Sequence, residues 1–144
     1  MAIRTTLDRS EHDRVVSASA ATYGELERKG YKVSRNPGGE KNQFVGPEFN
    51  PRYPDVVVWM PDSFGSTKGR ATIIEEIETA DSVNDSEAEQ WKDYGSLGIK
   101  FLLIVPKAYC EEALRLISKY EANVSEVWYY YYEYDNIKFA KYNR

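Results

Sequence analysis

Apolar positions along this chain change period several times, and each change marks an element. Val16, Ala20, Tyr23 and Leu26 recur at the three-to-four-residue interval of a helix. Ser10 with Asp13 resembles a capping box before them, and Gly30 is a natural stop after them. The pattern predicts one amphipathic helix over 11–29, followed by a short strand at Tyr31-Lys32-Val33. From Asn36 to Tyr53 prolines and glycines interrupt any period, which predicts a long loop with at most a short strand near Gln43-Phe44-Val45. Val56–Trp59 and Ala71–Thr79 read as a hairpin-like pair of strands around a turn at Pro61–Gly69. Ser82 to Ser86 offers N-caps for a helix running to about Tyr94, which Gly95 and Gly98 end. Phe101–Val105 is an unbroken apolar run of strand length, the mark of a central strand covered on both faces. A helix over Glu111–Tyr120 follows, then a strand at Val127–Tyr134 and a partner at Ile137–Tyr142. The order predicts an α/β fold in which helices flank a mixed central sheet.

Composition narrows the function classes. At 144 residues the chain fits a single domain, 1–144, with 42% hydrophobic and 29% charged residues. No window reaches the length of a membrane span, and Met1–Ser10 lacks the apolar core of a signal peptide, so a cytoplasmic protein without membrane association is expected. Cys110 and His12 are each the only residue of their kind. A zinc cluster or a serine–histidine triad needs more partners than that, and Cys110 reads as a small buried hydrophobe. The net charge of −4 argues against coating nucleic acid by bulk electrostatics. Local basic clusters remain, at Lys29, Lys32, Arg35 and Lys41 and at Lys138, Lys141 and Arg144, and the ordinary account of both is a solvated face.

The candidate chemistry lies between Pro54 and Tyr94. In a regular strand Glu76 and Glu78 point together while Glu75 and Ile77 point the opposite way, although a bulge would exchange Glu75 with Glu76. Asp55 opens the neighbouring strand and can approach the same point. Carboxylates gathered beside apolar runs need a compensating charge, and Mg²⁺ or Mn²⁺, satisfied by one or two carboxylates, a carbonyl and waters, supplies one. A cation so held polarises a phosphate and acidifies its bound water, which points to phosphodiester cleavage.

Pro54-Asp55, twenty intervening residues, then Glu76-Ile77-Glu78 resembles the PD-(D/E)XK nuclease superfamily, whose restriction-endonuclease-like core runs α-β-β-β-α-β. Gln90-Trp91-Lys92-Asp93-Tyr94 resembles the QxxxY motif of its RecB-like branches. The resemblance spans the two strands, the helix after them and Phe101–Val105; the first helix fits by position alone. It implies that Asp55 and Glu76 are metal ligands, that the Ile77 carbonyl completes the shell, and that Gln90 and Tyr94, one turn apart, face the site. Position 78 departs from the pattern: the family usually has lysine there, and this chain has glutamate. Glu78 is then a general base or a ligand to a second metal, and Lys92 or Lys68 is left to supply the missing positive charge. The first helix often adds an acid, for which Glu11, Asp13 and Glu25 are the candidates. The implied activity is metal-dependent hydrolysis of DNA, with RNA as the second candidate substrate. The alternative is an inactive relative that binds nucleic acid or a protein partner.

Finally, Trp128 to Tyr134 is dense in aromatics. Alternation puts Trp128, Tyr130, Tyr132 and Tyr134 on one face and Val127, Tyr129 and Tyr131 on the other. The strand suits sheet packing and a homodimer interface better than base stacking, although aromatics before a basic tail serve either.

Overall fold

The computed structural model describes residues 6–36, 43–48, 50–61 and 69–143, with side chains from residue 9 onward. Lys41, Lys68, Arg144 and most of the turn between Pro61 and Gly69 lie outside these residues. The elements are α1 (Thr6–Ala21), α2 (Gly24–Arg28), β1 (Lys32–Arg35), β2 (Val56–Met60), β3 (Arg70–Ile77), α3 (Asp85–Gly95), β4 (Lys100–Pro106), α4 (Cys110–Tyr120), β5 (Glu126–Glu133) and β6 (Asn136–Lys141).

The strands form one mixed sheet in the order β1-β2-β3-β4-β5-β6. β1, β2 and β3 meander antiparallel. β4 and β5 then add in parallel through the crossover helices α3 and α4, and β6 folds back antiparallel on β5. Side chains alternate across the sheet, and two cores result. On one face Val57, Ile74, Phe101, Leu103 and Val127 pack under Trp91 of α3 and Leu116 of α4. On the other, Val56, Ile77, Ile104 and Tyr130 pack under Val15, Val16 and Ala20 of α1. Phe101–Val105, expected as a central strand, is buried along its whole length. The predicted α/β class with a mixed sheet between helices is observed.

The first helix differs from its prediction at both ends. It starts at Thr6, so Ser10 and Asp13 lie inside it and cap nothing; the residues from Thr6 to Arg9 contain no helix breaker. It also stops at Ala21, where the Thr22 hydroxyl donates to the Ser19 carbonyl at 2.6 Å and competes with the backbone for that acceptor. A second short helix, α2, follows and ends at Arg28, and the turn after it contains Gly30, whose φ of +96° explains the glycine there. The buried stripe of α1 is His12, Val15, Val16, Ser19 and Ala20. Near Gln43–Val45 the chain makes only an isolated bridge, Val45 to Arg52.

The aromatic strand β5 packs within the chain. Tyr130 is buried beneath α1, and its hydroxyl donates to the Glu78 carbonyl at 3.2 Å. The Tyr132 hydroxyl donates to Glu11 Oε1 at 3.0 Å, and Lys107 Nζ sits 5.4 Å from the centre of the Tyr131 ring. Tyr134 falls beyond the strand, at φ +58° in the β5–β6 turn, and is almost fully exposed. Among the described residues, no helix is long and apolar enough to cross a membrane.

Candidate functional site

The candidate site sits where β2 begins and β3 ends, an arrangement that antiparallel pairing of the two strands imposes. Val56 pairs with Glu75, so Asp55 lies beside Glu76 and Ile77 just past the last rung. Side chains and backbone interlock there: the Asp55 amide donates to Glu76 Oε1 at 3.2 Å, and the Ile77 amide donates to Asp55 Oδ2 at 2.8 Å. The approach to Asp55 is itself fastened. Asn36 Nδ2 donates to the Pro54 carbonyl at 2.6 Å and to the Gln43 carbonyl at 2.9 Å, while its Oδ1 accepts the Gln43 amide. The long loop therefore returns to a defined point, and Asp55 and Glu76 are held together.

The strand is regular at the two glutamates. The register shift in this pair falls between Val58 and Trp59, far from Glu75 and Glu76, so a bulge does not exchange them. Glu75 points to the α1 side, where Ser19 and Tyr23 donate to it. Glu76 and Glu78 point to the α3 side.

Glu78 is enclosed. It is fully buried, and Trp91 Nε1 donates to its Oε2 at 2.9 Å while Ser82 Oγ lies 3.3 Å from its Oε1. The 3₁₀ turn Ala80–Ser82 that carries Ser82 is closed by a reciprocal bond, in which the Thr79 amide donates to Ser82 Oγ at 3.0 Å. Glu78 is thus the residue that joins the end of β3 to α3.

Helix α3 starts at Asn84, whose side chain caps the Glu87 amide at 2.9 Å. Its buried face carries Glu87, Trp91 and Tyr94. Tyr94 reaches the carboxylates: burial first, then the charges of Glu76 and Asp55, push its phenol far above the usual tyrosine range. Gln90 lies half-buried on the same helix one turn earlier. Lys92 is exposed on the opposite side of α3 and does not supply the positive charge.

The electrostatics are one-sided. Burial is the largest cause raising the Glu76 carboxyl well above the carboxylate range, and Asp55, Glu78 and Glu87 add to it in that order. From α1 the neighbour is His12 and not an acid: its Nε2 stands 3.1 Å from Asp55 Oδ1. Of the acids expected from that helix, Glu11 is taken by Tyr132, Asp13 lies beside His12 Nδ1 at 3.4 Å, and Glu25 is exposed on α2. His12, Glu87, Trp91 and Asn36 are the site's residues that pattern reasoning missed. His12 could have been found, since it stands three and four residues before Val15 and Val16 on one helical face.

The donor set suits a hard cation: buried carboxylate oxygens, two of them brought together, with no soft ligand. A ready-made cage is a different matter. Among the described residues, no three histidine, cysteine, aspartate or glutamate side chains converge as metal ligands. Asp55 and Glu76 fit an ion completed by carbonyl and water oxygens; Glu78, tied to Trp91 and Ser82, stands behind them. Compared with known proteins, the chain matches no family model, no curated protein and no solved structure.

Proposed function

We propose that this chain is a metal-dependent nuclease that hydrolyses DNA phosphodiester bonds with Mg²⁺ or Mn²⁺ held by Asp55 and Glu76, on a restriction-endonuclease-like core. The supporting observation is the locked pair itself. Asp55 and Glu76 are buried side by side among further carboxylates, an arrangement whose mutual repulsion a divalent cation would relieve. Support for the finer fold is the order α1, β1, β2, β3, α3, β4, together with the position of Asp55 and Glu76 on adjacent strands.

In this reading an ion held here would supply polarisation of the scissile phosphate and a more acidic bound water. Asp55 and Glu76 would hold that ion, and the Ile77 carbonyl is the backbone oxygen that the family resemblance adds to them. Tyr94 remains protonated across the physiological range and donates a hydrogen bond to a phosphate oxygen. Gln90, one turn away, orients the same group. Glu78 acts from behind: its buried negative charge raises the proton affinity of Glu76, so ion binding displaces a proton. His12 fixes the orientation of Asp55 from the other side.

One observation favours a second reading. Where the family usually places lysine, Glu78 is wholly enclosed between Trp91 and Ser82, which suits an inactive module that binds nucleic acid or a protein. Incubation of plasmid and single-stranded DNA with Mn²⁺, for wild type, Asp55→Asn and Glu76→Gln, tests the first reading. Cleavage lost in both variants supports it. No cleavage by wild type, or equal cleavage by the variants, overturns it. Calorimetry with Mn²⁺ then separates the two, because an inactive module retains DNA or partner binding without ion binding.

A further inference from the structure

A cavity of about 530 Å³ opens on the α1 side of the sheet, away from Asp55 and Glu76. Its volume falls within the range of small-molecule sites. Ile73, Leu102 and Ile104 form the floor, and Trp128 and Phe139 form an aromatic wall. Ser19, Tyr23 and the carboxylates Glu75 and Glu126 break this apolar lining. At the α1 end stands Glu75, 2% exposed. At its edge stands the exposed side chain of Lys100, on the same face of the sheet as Leu102 and Ile104.

The hydrogen bonds on Glu75 define what else it can take. Ser19 Oγ donates to Oε1 at 2.6 Å, and the Tyr23 hydroxyl donates to Oε2. Both oxygens are therefore acceptors, and each carboxylate oxygen has room for about one more donor. A ligand edge with two adjacent N–H donors satisfies both at once. Among nucleobases that is the Watson–Crick edge of guanine, with N1–H beside N2–H₂; adenine and cytosine present a donor next to an acceptor.

We infer that this cavity binds a guanine nucleotide, with the base edge on Glu75, the ring against Trp128 and Phe139, and the phosphate at Lys100. Aromatic walls suit a planar ring, and the lysine at the edge suits an anionic tail. Lys100 lies 3.4 Å from Glu126, and that carboxylate also meets Lys141 at 3.3 Å, so the lysines at the rim outnumber the acid. The inference does not depend on the nuclease reading, because its residues lie on the opposite face of the sheet from Glu76.

The test is ¹H–¹⁵N NMR of the full chain in EDTA, following the indole cross-peak of Trp128, which donates to Glu126 at 2.9 Å. The fully buried Trp91 indole is the internal control. Addition of 5′-GMP should shift the Trp128 signal and leave Trp91 in place. Inosine monophosphate, which lacks the N2 amine, should bind roughly tenfold more weakly, as should GMP to Glu75→Gln. A thymidine oligonucleotide with one dG, compared with one without, decides whether a base in a strand is also accepted: a dG-dependent shift extends the site to strands, and none confines it to free nucleotides. Equal affinity for GMP, inosine monophosphate and CMP overturns the inference, as does no Trp128 shift up to about 10 mM GMP. If Glu75→Gln fails to fold, the GMP and inosine comparison on unaltered protein still decides.

Discussion

Glu76→Gln should flatten the fall in stability that wild type shows as pH rises above the ordinary carboxylate range. The sign follows from the direction of the shift. Burial and the neighbouring acids raise the folded-state proton affinity of Glu76 above its unfolded value. The folded chain therefore holds a proton that the unfolded chain has released. Stability from this group is fully present below the unfolded pKa and is lost as pH rises through the folded one. One proton of difference corresponds to about 1.4 kcal/mol per pH unit. Glu75 is shifted the same way by burial, so part of the slope should remain in the variant. Groups shifted downward, Asp85 by Lys119, Glu112 by Arg115 and Glu126 by Trp128, act on the acid side of this window and leave the slope alone. Urea unfolding at several pH values reads the slope directly, and the difference between wild type and Glu76→Gln isolates one carboxylate. Saturating Mn²⁺ at the alkaline end should restore wild-type stability by about 2.7 kcal/mol at a hundredfold excess over its dissociation constant, and should not help the variant. Parallel curves for the two proteins would refute the account of Glu76 as a buried acid crowded by its neighbours.

Three further substitutions probe the supports of the site. Trp91→Phe removes the indole donor from the enclosed Glu78 and should cost about 2–4 kcal/mol in chemical denaturation, whereas a loss below about 1 kcal/mol would mean that the bond contributes little. Gly95→Ala places a methyl 2.5 Å from the Asn123 carbonyl oxygen, a backbone atom that cannot swing away, so a melting temperature lower by several degrees is expected. Asn36→Ala releases the Pro54 and Gln43 carbonyls together and should destabilise by about 2–3 kcal/mol. By loosening Asp55 it should also weaken Mn²⁺ binding in calorimetry, and unchanged affinity would show that the Asn36 clamp does not position the aspartate.

Elements whose burial demands a single period were legible in the sequence. Phe101–Val105 is apolar at every position because both faces are covered, and it became β4. The opposite orientations of Glu75 and Glu76 followed from strand alternation alone, and the regular register at that point bears the alternation out. The first helix was harder to read, because its break depends on one local competition, the Thr22 hydroxyl for the Ser19 carbonyl, which leaves no mark in hydrophobic spacing. His12 was passed over for a related reason. A lone histidine on an apolar face is ordinarily a packed core residue, and only the meeting of α1 with the start of β2 brings it to Asp55.

Glu78 shows how far residue type can mislead about role. Its place beside Glu76 on the same face suggests a third ligand, since strand geometry says that the two side chains point together. Where the chain goes next gives it other partners. Beyond Ile77 the strand ends, and the Thr79–Ser82 turn brings a hydroxyl back to Glu78 while α3 delivers an indole N–H from the opposite side. Those two donors meet the oxygens of a fully buried side chain, and the charge it carries as a carboxylate is one of the causes that raise Glu76. Loss of that charge should lower the proton affinity of Glu76, and loss of the Trp91 bond should loosen α3 from β3. Both effects arise from the same side chain, and the second depends on a contact thirteen residues along the chain, which no strand pattern contains.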